Sequence, residues 1–292
     1  PQNAPSVNSD IKDVIRADPH IYIDESFSDA VQCAGASPRF NSLTLDGMRL
    51  NDNFGLNSNG YPTEAMPFSY SAIEQVAVEL APFDVQYGGF TACNINAVTK
   101  SGTNDFSGSV FFDYTSDSFK GDEVDGREID LGDYTEERYG VTVGFPLIKD
   151  QLFFFGAYEK KEGVRLHNYN FSRVTQAELD EIAQISRDVY NYEPGGFKGS
   201  SQVTDEKIIA KIDWNINDQH RASFVYNWND GFTISESDSG STRVSFDGHF
   251  YDRGAGLAHL VYHFPPDNRK HQVNGPQQIS CGNPTIVKTN CR

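Results

Sequence analysis

The sequence predicts an α+β unit over roughly its first hundred residues, followed by antiparallel strands of a membrane-spanning β-barrel. Three observations carry that expectation. From about residue 107 onward, apolar side chains recur at every second position through six stretches, the period of a strand with two unlike faces. The connectors between these stretches alternate between short and long. Ahead of them lies a different texture, in which short strand-like runs are separated by loops rich in Asn and Gly. Composition agrees, since 21 Phe and 14 Tyr stand against two Trp and two Met, a balance that favours strands over helix bundles.

Taken in chain order, SLTLDGMRL (42–50), IEQVAVEL (73–80) and NINAVTK (94–100) read as strands, and SYSAIEQ begins as a helical turn. NDNFGLNSNGYP between the first two suits tight loops and no regular element. The alternating part starts with Val110, Phe112 and Tyr114, which face away from Ser109 and Asp113. Tyr139, Val141, Val143, Phe145 and Leu147 share a face opposite Gly140, Thr142 and Gly144. Residues 152–159 form a third strand. Ile208, Ala210, Ile212 and Trp214 oppose Lys211 and Asp213, with Ile209 interrupting the polar face. Ala222, Phe224, Tyr226 and Trp228 oppose Arg221, Ser223 and Asn227, and Ala258, Leu260, Tyr262 and Phe264 alternate with His259 and His263. Trp214, Trp228, Tyr114 and Tyr158 near strand ends suit interface girdles, or ordinary core packing.

The connectors LIKDQ and NINDQH are short polar turns, whereas 116–137, 160–206 and 229–250 are long and polar. Short turns at one end and long loops at the other are the pattern of an outer-membrane barrel with its long loops outside. Within the second long loop, Leu179, Ile182, Ile185 and Val189 stand at helical spacing, and Thr175 with Glu178 predicts a capping box.

Several function classes are set aside by the same residues. A formal charge of -17 repels phosphate backbones, so nucleic acid is not an expected partner. Cys33, Cys93, Cys281 and Cys291 lack the spacing of a zinc site; Cys33 and Cys93 read as two separate buried thiols, with a bridge in an oxidising compartment as the alternative. No apolar run approaches the roughly 20 residues of a spanning helix, and PQNAPSVNSD has neither the charged nor the apolar region of a signal peptide. DEVDGREIDLGD fails the spacing of a calcium loop, and His259 with His263 has no third ligand, so no metal or cofactor is expected. No carboxylate pair is singled out as acid and base, and no catalytic residue is assigned.

The ordered set LTLDGMRL, SAIEQVAVELAPFDVQYGG and NINAVTKSG resembles the plug-domain pattern of TonB-dependent outer-membrane receptors and transporters. Its details, RFNSLTLDGMRLNDNFGLNSNGYP and APFDVQYGGFTACNINAVTKSGTNDFSGS, are most similar to the Oar-like branch, with Cys93 where that pattern has a small residue, usually Gly. The resemblance implies an α+β plug domain over 1–104 and the first six or so strands of an incomplete barrel over 105–264. Residues 265–292 would be an irregular tail, aberrant or a linker, and the chain a fragment without an identifiable TonB box. A barrel of this family, about 22 strands, would leak without its plug.

What the resemblance implies about function is gated uptake across the outer membrane of a Gram-negative bacterium, with no enzymatic step. The implied partners are TonB with its inner-membrane energising complex, outer-membrane lipid, and an extracellular ligand. Ligand contacts at the plug apices would come from Arg49, Asn51, Asn53, Asn57, Asn59 and Tyr61 in one loop and from Asp84 and Tyr87 in another, unless the Asn residues only cap turns. Asp46, Gly47, Gly88, Gly89, Asn94, Asn96, Thr99 and Lys100 would be the plug's structural motif, and KSGTN (100–104) the step into the wall. A soluble secreted β-rich binding domain, or an outer-membrane protein for adhesion or export, is the competing reading.

Overall fold

The computed structural model describes residues 10–24, 30–52, 59–63, 65–80, 88–119, 123–124, 127–128, 134–166, 175–194, 200–236, 250–263, 277–280 and 286–289. The first unit begins with α1 (Ile11–Ile15), capped by Asp10, whose carboxylate accepts from the Lys12 amide. It continues through β1 (Ile21–Asp24), β2 (Ala30–Cys33), β3 (Ser42–Leu45), β4 (Met48–Arg49), β5 (Ile73–Leu80) and β6 (Cys93–Thr99). Strands β1 and β2 pair antiparallel, and the other four form a sheet in the order β4-β3-β6-β5. In that sheet β3 runs parallel to β6, while β5 and β4 run antiparallel to their neighbours. The strands read from the sequence at 73–80 and 94–100 are present, the one read at 42–50 is broken into the β3–β4 hairpin, and the helical turn at SYSAIEQ is a 3-10 turn at Tyr70–Ala72. Helix α1 and the β1–β2 pair went unread, being too short for periodicity to register.

Asp46 and Gly47 join β3 to β4 with positive φ angles of 48° and 80°. That is the backbone of a two-residue hairpin turn whose twist matches its strands, which is why Asp-Gly recurs there. Leu43, Leu45, Met48, Ile73 and Ile95 fill the core of the unit.

The second part holds β7 (Ser107–Ser116), a small β8 (Glu123–Val124) and β9 (Arg127–Glu128) pair, β10 (Thr135–Ile148), β11 (Leu152–Leu166), α2 (Gln176–Tyr190), β12 (Ser200–Asn217), β13 (His220–Glu236), β14 (Phe250–His263), β15 (Gln277–Ser280) and β16 (Ile286–Thr289). The large sheet runs β15-β14-β13-β12-β11-β10-β7, each pair antiparallel, with β16 also on β14, and it does not close among the described residues. The strands outrun their sequence-predicted lengths: β12 has 18 residues, where about 9–11 cross a bilayer. Residues 265–292 are not wholly irregular, because β15 and β16 pair with β14. An edge strand presents unpaired backbone donors and acceptors to any extended segment, whatever its side-chain pattern.

The sheet is inverted relative to a soluble protein. Val110 (81%), Phe112 (64%), Val141, Ile212 and Tyr226 are exposed on its outer face. On the other face Thr142, Glu159, Asp205, Lys207, Lys211, Asn227 and Asn229 are buried. Aromatic residues mark the edges of the apolar face. Trp214 pairs with Leu152 beside a short turn, and at the far end the Tyr139 and Tyr158 rings lie 6.5 Å apart and Trp228 pairs with Ile208. From Tyr139 to Leu147 the apolar run covers on the order of 25 Å along the strand, comparable to the apolar band of outer-membrane barrels. Beyond it charge returns, as in the Lys160–Glu162 ion pair. Such a face suits lipid, and the continuous ladder of backbone hydrogen bonds between its strands suits a solvent that offers none. No helix among the described residues is long and apolar enough to cross a membrane.

Helix α2 has the predicted capping box, with Thr175 accepting from the Glu178 amide and Glu178 accepting from the Thr175 amide at 2.8 Å. Of its predicted stripe only Leu179 is buried, joined by Ala183 one turn on, while Ile182, Ile185 and Val189 are exposed. The backbone hydrogen bond from Thr175, and then the one from its hydroxyl, hold the Glu178 carboxyl below its ordinary value of 4.5. A depressed carboxyl pKa stabilises the fold above the ordinary value, and the benefit is lost as pH falls through the folded value. Protection of the first-turn amides of α2, relative to their intrinsic exchange rate, is therefore expected to fall in the full-length protein as pH drops below 4.5, and Glu178→Gln should abolish that dependence. Protection that keeps the same pH slope in both proteins would contradict it.

Candidate functional site: the face between the inner unit and the strand wall

The α+β unit packs on the concave polar face of the sheet, and one core runs through both. Phe155 and Ala157 of β11 and Ile209 of β12 are buried together with Ile11, Leu45 and Ile73. Ile209 therefore does not spoil a polar face; it is a wall residue covered by the inner unit.

Around this apolar contact stand two polar ones. At the β3–β4 turn, the Asp46 carboxylate accepts from the Thr99 amide at 3.0 Å and from the Thr99 hydroxyl, closing the end of β6. Lys211 of β12 reaches in from the wall, 3.9 Å from the Asp46 carboxylate, and donates to the Thr99 carbonyl at 3.3 Å. Higher on the wall, Ser69 donates to Glu159 at 2.6 Å. Lys207 lies 3.4 Å from Glu159 and 2.8 Å from Asp205, and all three side chains are less than a tenth exposed. Asn229 donates to Asp205 at 2.9 Å, and Asn227 to the Pro67 carbonyl at 3.2 Å. Asp46, Thr99 and Lys100 were anticipated from sequence, but Glu159, Asp205 and Lys207 were not. Their signal was charge at alternate positions of strands whose other face is apolar.

The step into the wall is tight. The Lys100 ammonium donates to the Ser71 carbonyl at 2.6 Å, and burial pushes its pKa down against the opposing pull of Glu74. A Cβ on Gly102 would lie 2.3 Å from the Phe154 carbonyl oxygen, so only glycine lets the chain pass the wall this closely. Asn104 then accepts from the Asp150 amide at 2.8 Å, seating the start of the wall on the short β10–β11 turn.

The opposite end of the inner sheet gathers several of the predicted ligand residues. Arg49 is exposed and donates to the Gly89 carbonyl at 2.8 Å and to the Asn51 side chain at 3.2 Å, joining the two candidate loops. Gly88 is also exposed there. Asn51 is turned inward, accepting from the Leu43 amide at 3.1 Å and donating to the Asn41 carbonyl at 2.6 Å. Asn59 and Tyr61 are buried, and Asn59 donates to the Thr63 carbonyl and accepts from the Tyr61 amide. Asn59 thus caps its own turn, whereas Asn51 bridges the backbone on either side of the β3 start. Asn53, Asn57, Asp84 and Tyr87 lie outside the described residues. Asn94 donates to Glu79 and Asn96 accepts from Thr44, so both brace the sheet.

Cys33 and Cys93 form a disulfide, in place of the two separate thiols expected, with Cα atoms 6.0 Å apart across a separation of 60 residues. Both are fully buried. Spacing along the chain gave no hint, because the β2 and β6 ends meet only in the tertiary fold. No group of three or more His, Cys, Asp or Glu side chains able to hold a metal occurs among the described residues.

Residues 98–194 match the family described as an outer membrane beta barrel domain. The chain is 28% identical over 216 residues to the TonB-dependent transporter Oar of Myxococcus xanthus, a match covering 68% of this chain. The match spans 19% of that relative, about a fifth of its length. In fold, the outer membrane transporter YddB of Escherichia coli superimposes with a TM-score of 0.62 at 14% identity, over 90% of this chain and 35% of YddB. The siderophore receptor PirA of Acinetobacter baumannii gives 0.56 at 18% identity, over 87% of this chain and 35% of PirA. With an apolar outer face, a polar inner face and these likenesses in sequence and fold, the chain resembles TonB-dependent outer-membrane transporters of the Oar-like kind, and its strand wall is that of a β-barrel in the outer membrane of a Gram-negative bacterium.

Proposed function

We propose that residues 1–104 are the plug and residues 105–264 the first strands of the barrel of an energy-coupled transporter, which takes up an extracellular ligand. The single observation that carries this reading is the inner unit seated on the polar face of an outwardly apolar wall. Polar contacts join the unit to the wall as well, Asp46–Lys211 and Ser69–Glu159 among them. A wide barrel needs such an obstruction to stay closed, and the hydrogen bonds and ion pairs around the shared apolar contact can part and re-form in water at little net cost.

Ligand contact is placed in this reading at the end of the unit where Arg49 meets Gly89, together with Asn53, Asn57, Asp84 and Tyr87 of the same loops. Asn51, Asn59 and Tyr61 support those loops from below. TonB and its inner-membrane complex supply the energy from the periplasmic side, acting on chain that precedes the plug, and no chemical step is involved.

The test is electrical. The full-length protein in a planar bilayer is expected to show no steady conductance, whereas the same protein lacking residues 10–99 should open large, stable channels. Equal conductance in the two would remove the plug reading.

A further inference from the structure

The disulfide joins two points of the inner unit that differ greatly in their place along the chain. Cys33 closes β2, the last strand before the four-stranded sheet is built. Cys93 opens β6, the strand that leads through residues 100–106 directly into β7 of the wall. Everything between them, including β3, β4, β5 and both candidate ligand loops, hangs as a closed covalent loop on this one link.

We infer that the Cys33–Cys93 disulfide acts as a mechanical stop that confines energy-driven unravelling of the plug to the chain ahead of residue 33. This rests on the proposed coupling from the N-terminal side. Tension applied ahead of Asp10 first reaches α1, β1 and β2, a short helix and a two-stranded pair with little ladder to hold them. At Cys33 the tension leaves the backbone, crosses the disulfide to Cys93, and continues along β6 into the wall. Residues 34–92 lie off that path. Strand β6 is under tension from both ends, but β3 and β5 on either side of it are held to the wall by side-chain contacts alone, Asp46–Lys211, Ser69–Glu159 and the shared core, which part before the backbone ladders with β6 are sheared.

The segment 34–92 can therefore move only as a folded body. Asp46 and Ser69, which carry the polar contacts to Lys211 and Glu159, release their wall partners together or not at all. The Arg49–Gly89 link between the candidate ligand loops stays intact through the cycle. Both sulfurs are fully buried, which keeps reductants from the bond while the unit is folded.

Force spectroscopy loads the chain directly, so its outcome does not depend on whether TonB is the natural source of tension. The full-length protein, reconstituted in a bilayer and pulled by a handle ahead of Asp10, is expected to release only residues 10–33 before the unit leaves as a body. The Cys33→Ser, Cys93→Ser protein should release roughly 200 Å more contour length, about 3.4 Å for each residue of the closed loop. Equal release from the two proteins overturns the inference. Failure of the coupling reading would appear separately, as uptake indifferent to loss of the proton-motive force.

Discussion

Exchanging Lys207 for methionine is expected to loosen the inner unit by about 3–5 kcal/mol, the usual cost of removing one partner from a buried charge pair. Lys207 sits between Glu159 and Asp205, and all three are buried where the inner unit meets the wall. Without the ammonium two carboxylates face each other where water cannot fully solvate them, and Ser69 loses the fixed Glu159 oxygen it donates to. The measurement is the urea midpoint at which residues 10–99 become open to protease in the full-length protein. A triple change, Glu159→Gln, Asp205→Asn and Lys207→Met, should recover most of the loss, because it removes the charges along with their compensation. A Lys207→Met midpoint equal to that of the parent would show that these charges are hydrated and contribute nothing to seating the unit.

Loss of the disulfide should have an effect of similar size but of a different kind. Closing a loop with the 60-residue separation of Cys33 and Cys93 restricts the unfolded chain, and the entropy model gives about 4 kcal/mol for a loop of that length. The Cys33→Ala, Cys93→Ala protein should show a urea midpoint lowered accordingly, whereas the barrel wall, probed by its heat-modifiable migration on a gel, should be unchanged. The parent under strong reductant should match the double variant. If reductant and substitution both leave the midpoint in place, the bond is not formed in the cell. The bond belongs in an oxidising compartment, and assembly through the periplasm supplies one.

These two expectations differ in how far the sequence could have led to them. Lys207 was within reach, since it stands in phase with Lys211 and Asp213 on a strand whose other face is Ile208, Ala210, Ile212 and Trp214. The same counting misjudged Ile209 as an irregularity. Period-2 arithmetic assumes one environment for a whole face, and here a single face meets both polar and apolar parts of the inner unit. Helix α2 shows the same limit: its capping box is local chemistry and was legible, but which side of it is buried depends on neighbours far along the chain.

The ligand loops divide in the same way. Arg49, Asn51, Asn59 and Tyr61 were alike as polar residues in a loop of Asn and Gly. The structure separates an exposed Arg49 from Asn51 and Asn59, whose side chains bond nearby backbone, and from Tyr61, which is buried. Buried backbone groups must find partners, and in a loop with no ladder the nearest Asn side chains serve.

By itself the sequence determined whatever repeats or closes within a few residues. That covers the inverted alternation of the wall, its two short turns, the cap of α2 and the ordered motifs that point to a TonB-dependent receptor. Their physical causes, strand period, turn geometry and capping, act locally. Only the tertiary structure decided what depends on distant segments meeting. Cys33 found Cys93, Asp46 found Lys211, Ser69 found Glu159, and Gly102 was required against Phe154. These partners lie 50 to more than 160 positions apart in chain number, and no local pattern encodes a contact whose register is set by how a sheet wraps around the unit inside it.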